Sequence, residues 1–306
     1  MEKKDFAKLE NMCQLRFMEA GCCFHVCSQE NHPVLFHDEN EFKAVMNIVA
    51  FSAFLFQDVR IFTFEIMANH FHFALSGEET RIGLFLKTLV SKLSTHPVLS
   101  ASSPEAKNLS FKTFPIDSLN NLRNVIAYIN RNGAVVNSNE NVFTYRWGGN
   151  RFFFNDEAKL RHSSCGKITT IREKRELFHS NLLAEDRIIT LDGYVSPMSY
   201  CKIAEAESFF RNSRHYFYSI SRNIESSLEI ARIIGESIFY SDEDLFVYIK
   251  SLCVKRYGCN TIAELPKDAK IALAKDLRFN YNAASKQICR ILKMELPIVS
   301  ALFPER

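Results

Sequence analysis

Two residue periods alternate over the first half of this chain and only the helical one persists in the second. That switch constrains the fold more than any other feature. Residues 22–28, 59–64, 70–75 and 111–116 are short β-rich runs that read as strands. Between them, residues 39–57 carry Phe42, Val45, Met46, Val49, Ala53 and Phe56 at helical spacing, with Ile48, Phe51 and Leu55 widening the stripe. A second helical pattern covers about 81–94 through Ile82, Leu84, Phe85, Leu89, Val90 and Leu93. A third is expected over about 118–132, closed by the Asn132-Gly133 pair. Residues 98–110, rich in Ser, Pro, Asn and Ala, read as a loop. Strands interleaved with helices predict one small α+β domain over residues 1–157. Beyond it charges become frequent, and the segments near 196–212, 224–238, 242–257, 266–278, 283–293 and 297–303 each carry an apolar stripe. Residues 158–306 are therefore expected to form an all-α domain, with the boundary falling within 157–180.

At 306 residues, 47% hydrophobic and 24% charged, the chain can bury a core in each half. A net charge of +3 falls short of the basic excess with which proteins coat nucleic acid, so a DNA partner would have to be held by a local site. Nine cysteines are scattered without a C-x-x-C pair, which fits idle thiols in a reducing cytosol better than a zinc or redox site. The longest apolar run, Ala44 to Phe56, contains Asn47 and Ser52 and is too short to span a bilayer. The charged start M-E-K-K-D-F-A-K-L-E has no apolar signal core. A soluble, cytoplasmic protein with no membrane partner is expected.

Two elements could carry chemistry. In Glu65-Ile-Met-Ala-Asn-His70-Phe-His72-Phe-Ala-Leu75, residues two apart on a strand share a face, so His70 and His72 converge while Phe71 and Phe73 enter the core. Such a pair is half of a divalent-metal site, although by itself it fits two hydrogen-bonded histidines equally well. In the helix Leu119 to Asn132, Leu122, Val125, Ile126 and Ile129 form the buried stripe. Tyr128 and Asn132, one turn apart and about 40° apart around the axis, lie at its edge, where a side chain can meet a neighbouring sheet.

Two strand histidines, followed 56 residues after His72 by a helical Tyr with an amide at i+4, resemble the single-tyrosine HUH transposases, in particular the REP-associated tyrosine transposases. C-F-H-V-C-S-Q…V-L-F-H-D-E-N-E-F looks like the opening strand, loop and first helix of that family. E-I-M-A-N-H-F-H-F-A-L looks like its metal strand, and A-Y-I-N-R-N-G like its nucleophile helix. F-T-Y-R-W-G-G-N-R-F-F-F resembles its closing aromatic segment. Ala68 and Gly133 each stand where the family usually has Pro, and neither change removes a functional atom. The likeness covers about residues 20–155. It weakens in the tail, where D-E-D-L-F-V-Y-I-K-S-L-C and the segment from Asn282 to Phe303 look like a terminal helix-turn-helix over about 266–304.

The resemblance implies a ferredoxin-like or RRM-like HUH domain, an antiparallel sheet with helices on one face, ahead of the helical domain. It implies Tyr128 as nucleophile and His70, His72 and Asn132 as ligands of Mg²⁺ or Mn²⁺, two imidazoles suiting Mn²⁺ somewhat better. The implied reaction cuts and rejoins single-stranded or hairpin-flanking DNA through a 5′-phosphotyrosine. The protein would act as a monomer or homodimer in a prokaryotic cytoplasm, associated with the nucleoid when bound. Asn132 could equally be a helix cap. Arg146, Trp147 and Arg151 could contact DNA or pack and solvate ordinarily, as could Lys286, Arg290 and Lys293 on one face of the 283–293 helix. Tyr145 reads like Trp147, and His25 faces either the core or the site. His32, His37, His96, His162, His179 and His215 are expected at the surface. The alternatives are a non-catalytic hairpin-binding descendant and a helix-turn-helix regulator; a metal-dependent hydrolase barrel lacks the necessary strands.

Overall fold

The computed structural model describes residues 3–28, 34–102, 104–136, 144–163, 167–168, 170–180, 188–222, 230, 233, 240, 242–281 and 283–303. They fall into two compact units, residues 1–217 and 218–306.

In the first unit, β1 (Cys23–Ser28), β2 (Arg60–Ile66), β3 (Phe71–Ser76) and β4 (Phe111–Ile116) form one antiparallel sheet in the order β2-β3-β1-β4. Almost every residue of β1, β2 and β3 is buried, so both faces need a cover. Helices α2 (Glu39–Leu55) and α3 (Glu79–Thr95) lie on the side of Phe71 and Phe73. Phe85 meets the Phe73 ring edge-on at 5.9 Å, and Phe36 bridges Phe42 to Phe71. Helix α5 (Leu119–Val136) lies on the opposite side, where Tyr128 packs on His72. The expectation of helices on one face is therefore corrected: a sheet with two apolar faces is sandwiched. Helix α1 (Lys3–Ala20), which carries no strong apolar stripe, is tied to α5 by Glu10 and Arg123 at 2.6 Å.

The N-terminus of α2 is set by Asp38, whose carboxylate accepts from the backbone N–H groups of Asn40 and Glu41. Helix α5 does not stop at Asn132-Gly133. An interior glycine costs only about 1 kcal/mol, which the flanking turns absorb. The expected loop at 98–110 is largely ordered as helix α4 (Pro97–Ser102) and a 3₁₀ turn (Pro104–Asn108), with Leu99 and Ala106 buried beneath it.

Residues 158–217 also depart from the all-α expectation. After α6 (Asp156–Ser163) come β5 (Lys167–Ile168), α7 (Ile171–Phe178), β6 (Ile188–Leu191) and β7 (Tyr194–Val195), and the three strands form a small antiparallel sheet. Asp192 and Gly193 turn the β6–β7 hairpin with φ of 58° and 87°, the doubly left-handed geometry that an Asp-Gly pair supplies. This hairpin, helix α8 (Ile203–Ser208) and the start of α9 (Ser213–Arg222), as far as Phe217, join the first unit's core. Val195 donates its N–H to Asn47 at 2.9 Å, Glu205 pairs with Arg60 at 2.6 Å, and Phe209 packs on Phe62. The division between units thus falls at 217/218 rather than within 157–180, because these segments bury their apolar side chains against the sheet domain.

In the second unit, α10 (Asp242–Tyr257), α11 (Lys267–Asn280), α12 (Ser285–Leu292) and α13 (Leu296–Leu302) enclose Leu245, Ile249, Leu273, Leu277, Ile288 and Val299. The expected helix near 224–238 lies outside the described residues except 230 and 233. Among the described residues no helix is long and apolar enough to cross a membrane.

Candidate metal and nucleophile site

Strand register decides which side chains share the face beneath α5. His72 stands opposite Glu65 on β2 and Cys27 on β1, and Ala74 stands opposite Thr63 and His25. Directly opposed residues point the same way, so His25, Cys27, Thr63, Glu65 and His72 form one polar patch. It lies within an otherwise aromatic sheet. Phe71 and Phe73 stack on each other on the far side, 6.2 Å between centroids.

His70 immediately precedes β3, in a tight turn closed by the Met67 N–H donating to the His70 carbonyl at 2.8 Å. Its ring centre lies 5.0 Å from that of His72, with the planes nearly perpendicular. Each imidazole is held through Nδ1. His70 Nδ1 donates to the side-chain carbonyl of Asn69 at 2.7 Å, and His72 Nδ1 lies 3.2 Å from His25 Nε2. A carbonyl can only accept, so His70 carries its proton on Nδ1 and offers a lone pair at Nε2. Two imidazoles bound through Nε2 at neighbouring positions of one ion have centroids roughly 5 Å apart, given metal–nitrogen bonds of about 2.1 Å. The donor set fits a divalent ion on that count. Among the described residues no three His, Cys, Asp or Glu side chains surround a common point. The expected third ligand, the Asn132 amide, lies outside those residue types.

Tyr128 reaches His72 and His25 from α5. Its ring meets His72 edge-on at 5.5 Å and His25 at 6.0 Å. Asn132 follows one turn later and is half-buried. All four rings are nearly covered, with exposures of 2% for His25, 6% for His70, 0% for His72 and 3% for Tyr128. Beside them Asn130, fully buried, accepts from Thr63 Oγ1 and donates to the Tyr216 hydroxyl at 2.8 Å. Burial raises the Tyr216 pKa, with Glu65 adding to the rise and the Asn130 hydrogen bond opposing it. Thr63, Glu65, Asn130 and Tyr216 escaped the sequence reading. The polar Thr63 and Glu65, alternating with Phe62 and Phe64, were the available signal.

Of the other candidate residues, Arg146 and Arg151 share the lining of one cavity with Arg161 and Asp192. Trp147 stacks on Phe42 at 4.9 Å, and the Tyr145 hydroxyl donates to the Ile66 carbonyl at 2.6 Å, so both are core side chains. Arg151 is buried and held by Asp192 and the Tyr194 hydroxyl, at 3.2 and 3.1 Å. Arg146 pairs with Glu39 at 3.1 Å. In the second unit Lys286, Arg290 and Lys293 are all exposed, with Arg290 engaging Asp242 through two hydrogen bonds. Of the histidines expected at the surface, His96 is instead buried, its ring edge-on to His179 at 4.7 Å. Burial, then the charges of His179 and Lys92, push its pKa down to about 4. His32 lies outside the described residues.

Comparisons with protein-family models, with curated proteins and with solved structures gave no match.

Proposed function

We propose that this chain cuts and rejoins DNA as a metal-dependent enzyme of the single-tyrosine HUH type. One observation carries the reading. Tyr128, 56 residues from His72 in sequence, meets its ring at 5.5 Å, and the His70 ring stands 5.0 Å from that same imidazole. The connectivity β1-α2-β2-β3-α3-β4 with sheet order β4-β1-β3-β2 supports a ferredoxin-like frame for the site.

In this reading His70, His72 and Asn132 would hold Mg²⁺ or Mn²⁺, which would neutralise charge on a phosphodiester and favour in-line attack. Tyr128 supplies the nucleophile. Its Oη bonds to phosphorus, the P–O3′ bond breaks, the 3′ oxygen gains a proton and the phenolic proton leaves to solvent. The product is a 5′-phosphotyrosine with a free 3′-OH, and return attack by a 3′-OH restores a phosphodiester without ATP. A phenol of pKa about 10 needs that assistance at neutral pH. A single strand or hairpin flank is the favoured substrate, because in-line approach needs an unstacked backbone. The protein would work as a monomer or homodimer in a prokaryotic cytoplasm.

Incubation with a labelled hairpin oligonucleotide and Mn²⁺, followed by peptide mapping of the covalent adduct, tests the reading. The adduct should lie on Tyr128 and vanish in Tyr128→Phe. Cleavage that persists in that variant removes Tyr128 from the role. The near-complete cover over His72 and Tyr128 favours a second reading, a hairpin-binding descendant without catalysis. Hairpin binding with no adduct at any metal concentration would establish it.

A further inference from the structure

We infer that His25 is a positioning residue for the metal ligand His72, fixing the tautomer in which His72 can bind an ion; this rests on the function proposed above. The two residues lie 47 positions apart on neighbouring strands, yet His25 Nε2 stands 3.2 Å from His72 Nδ1. The rings stack at 5.4 Å with 25° between planes, and both are buried. A single proton is shared along that line. If His25 Nε2 donates, His72 keeps its proton on Nε2 and has no lone pair for a metal. If His72 Nδ1 donates, His25 Nε2 accepts and His72 Nε2 carries the lone pair that a metal needs. Metal binding therefore requires His25 to be the acceptor, with its own proton on Nδ1. Asn69 plays the matching part for His70, where the amide carbonyl leaves no choice of direction. The pair of ligands is thus oriented from two sides by different chemistry, a carbonyl for one and an imidazole for the other. Outer partners of this kind commonly change metal affinity by about 10- to 100-fold when removed. His25 also meets Tyr128 edge-on at 6.0 Å, so the same ring packs against both the nucleophile and the ligand.

Mn²⁺ binding to the intact protein, read by loss of the free-ion electron paramagnetic resonance signal, tests the assignment without relying on turnover. His25→Leu keeps a side chain of comparable bulk and removes the acceptor; its Mn²⁺ affinity should fall by about 10-fold or more. His25→Gln offers an amide carbonyl in its place and should stay within about 3-fold of wild type. Wild-type affinity in His25→Leu, or equal losses in both variants, overturns the assignment and leaves the metal reading standing. Equal Mn²⁺ binding by wild type and the His70→Ala, His72→Ala double variant overturns the metal site and this inference with it. A measurement without substitution closes the remaining gap. In wild-type protein labelled with ¹⁵N-histidine and saturated with Mg²⁺, His72 should be protonated on Nδ1, and a proton found on Nε2 refutes the inference.

Discussion

Replacing Gly148 with Ala would test how the aromatic closing segment is attached to the sheet. Trp147, Gly148 and Gly149 run along the free edge of β2. Ile66 donates to the Trp147 carbonyl at 2.8 Å, and Gly149 donates to the Phe64 carbonyl at 3.0 Å. A Cβ at position 148 would lie 2.4 Å from the Phe64 carbonyl oxygen and 2.8 Å from Glu65 Cγ. The nearer atom is backbone in a strand paired on its other side, so the segment must move rather than the sheet. Loss of two hydrogen bonds costs about 2 kcal/mol, and the overpacking strain that the shift leaves unrelieved adds about 1–2 kcal/mol, giving roughly 3–4 kcal/mol. For a unit of this size each kcal/mol lowers Tm by about 2–4 °C, so a fall of roughly 6–16 °C is expected. Trp147 is the chain's only tryptophan and is buried against Phe42, so its fluorescence reports the same event. Emission should shift to the red in native buffer, and urea unfolding should move to a lower midpoint. An unchanged midpoint together with unchanged emission would refute the close-approach reasoning.

Asn130→Leu should destabilise the first unit by about 2–4 kcal/mol in urea unfolding, because it strands the Thr63 and Tyr216 hydroxyls in a buried layer; a change under about 0.5 kcal/mol would contradict that role. The hydrogen bond from Arg123 chiefly, with a second from Arg211, holds the Glu10 pKa below its ordinary value. That stability is present above the unfolded pKa of about 4.3 and is lost as pH falls through the folded one, so the advantage of wild type over Glu10→Gln should hold at neutral pH and shrink on acidification below about pH 5. His96 works in the same direction by another route. Its folded pKa of about 4 lies below the unfolded value, so stability should rise with pH between about 4 and 6.5, and His96→Phe should flatten that rise by about one proton. Tyr128→Phe, checked for retained far-UV circular dichroism, should lose any covalent DNA adduct, as the proposed role of its hydroxyl requires.

Local pattern carried much of the secondary structure. The 3.6-residue stripe of Phe42 to Phe56 and the β-rich runs around Cys23, Arg60, Phe71 and Phe111 each became the element that their period predicted, within a few residues. The Asp192-Gly193 hairpin is equally legible, since that dipeptide is itself a turn signal and breaks the helical pattern expected over residues 158–306. The burial of His96 and of the Asn130–Tyr216 pair had no local signature, because a lone polar residue looks the same on a wet face and a dry one. Sequence alone determined that His70 and His72 fall near each other and that Tyr128 and Asn132 lie one turn apart, since chain geometry sets both spacings. Only tertiary packing decided that the helix lies over the histidine face and not the phenylalanine face. The strand register did the same for His25, bringing it across to His72. Those outcomes depend on which buried surface covers which, a competition among residues far apart in the chain that no window of sequence contains.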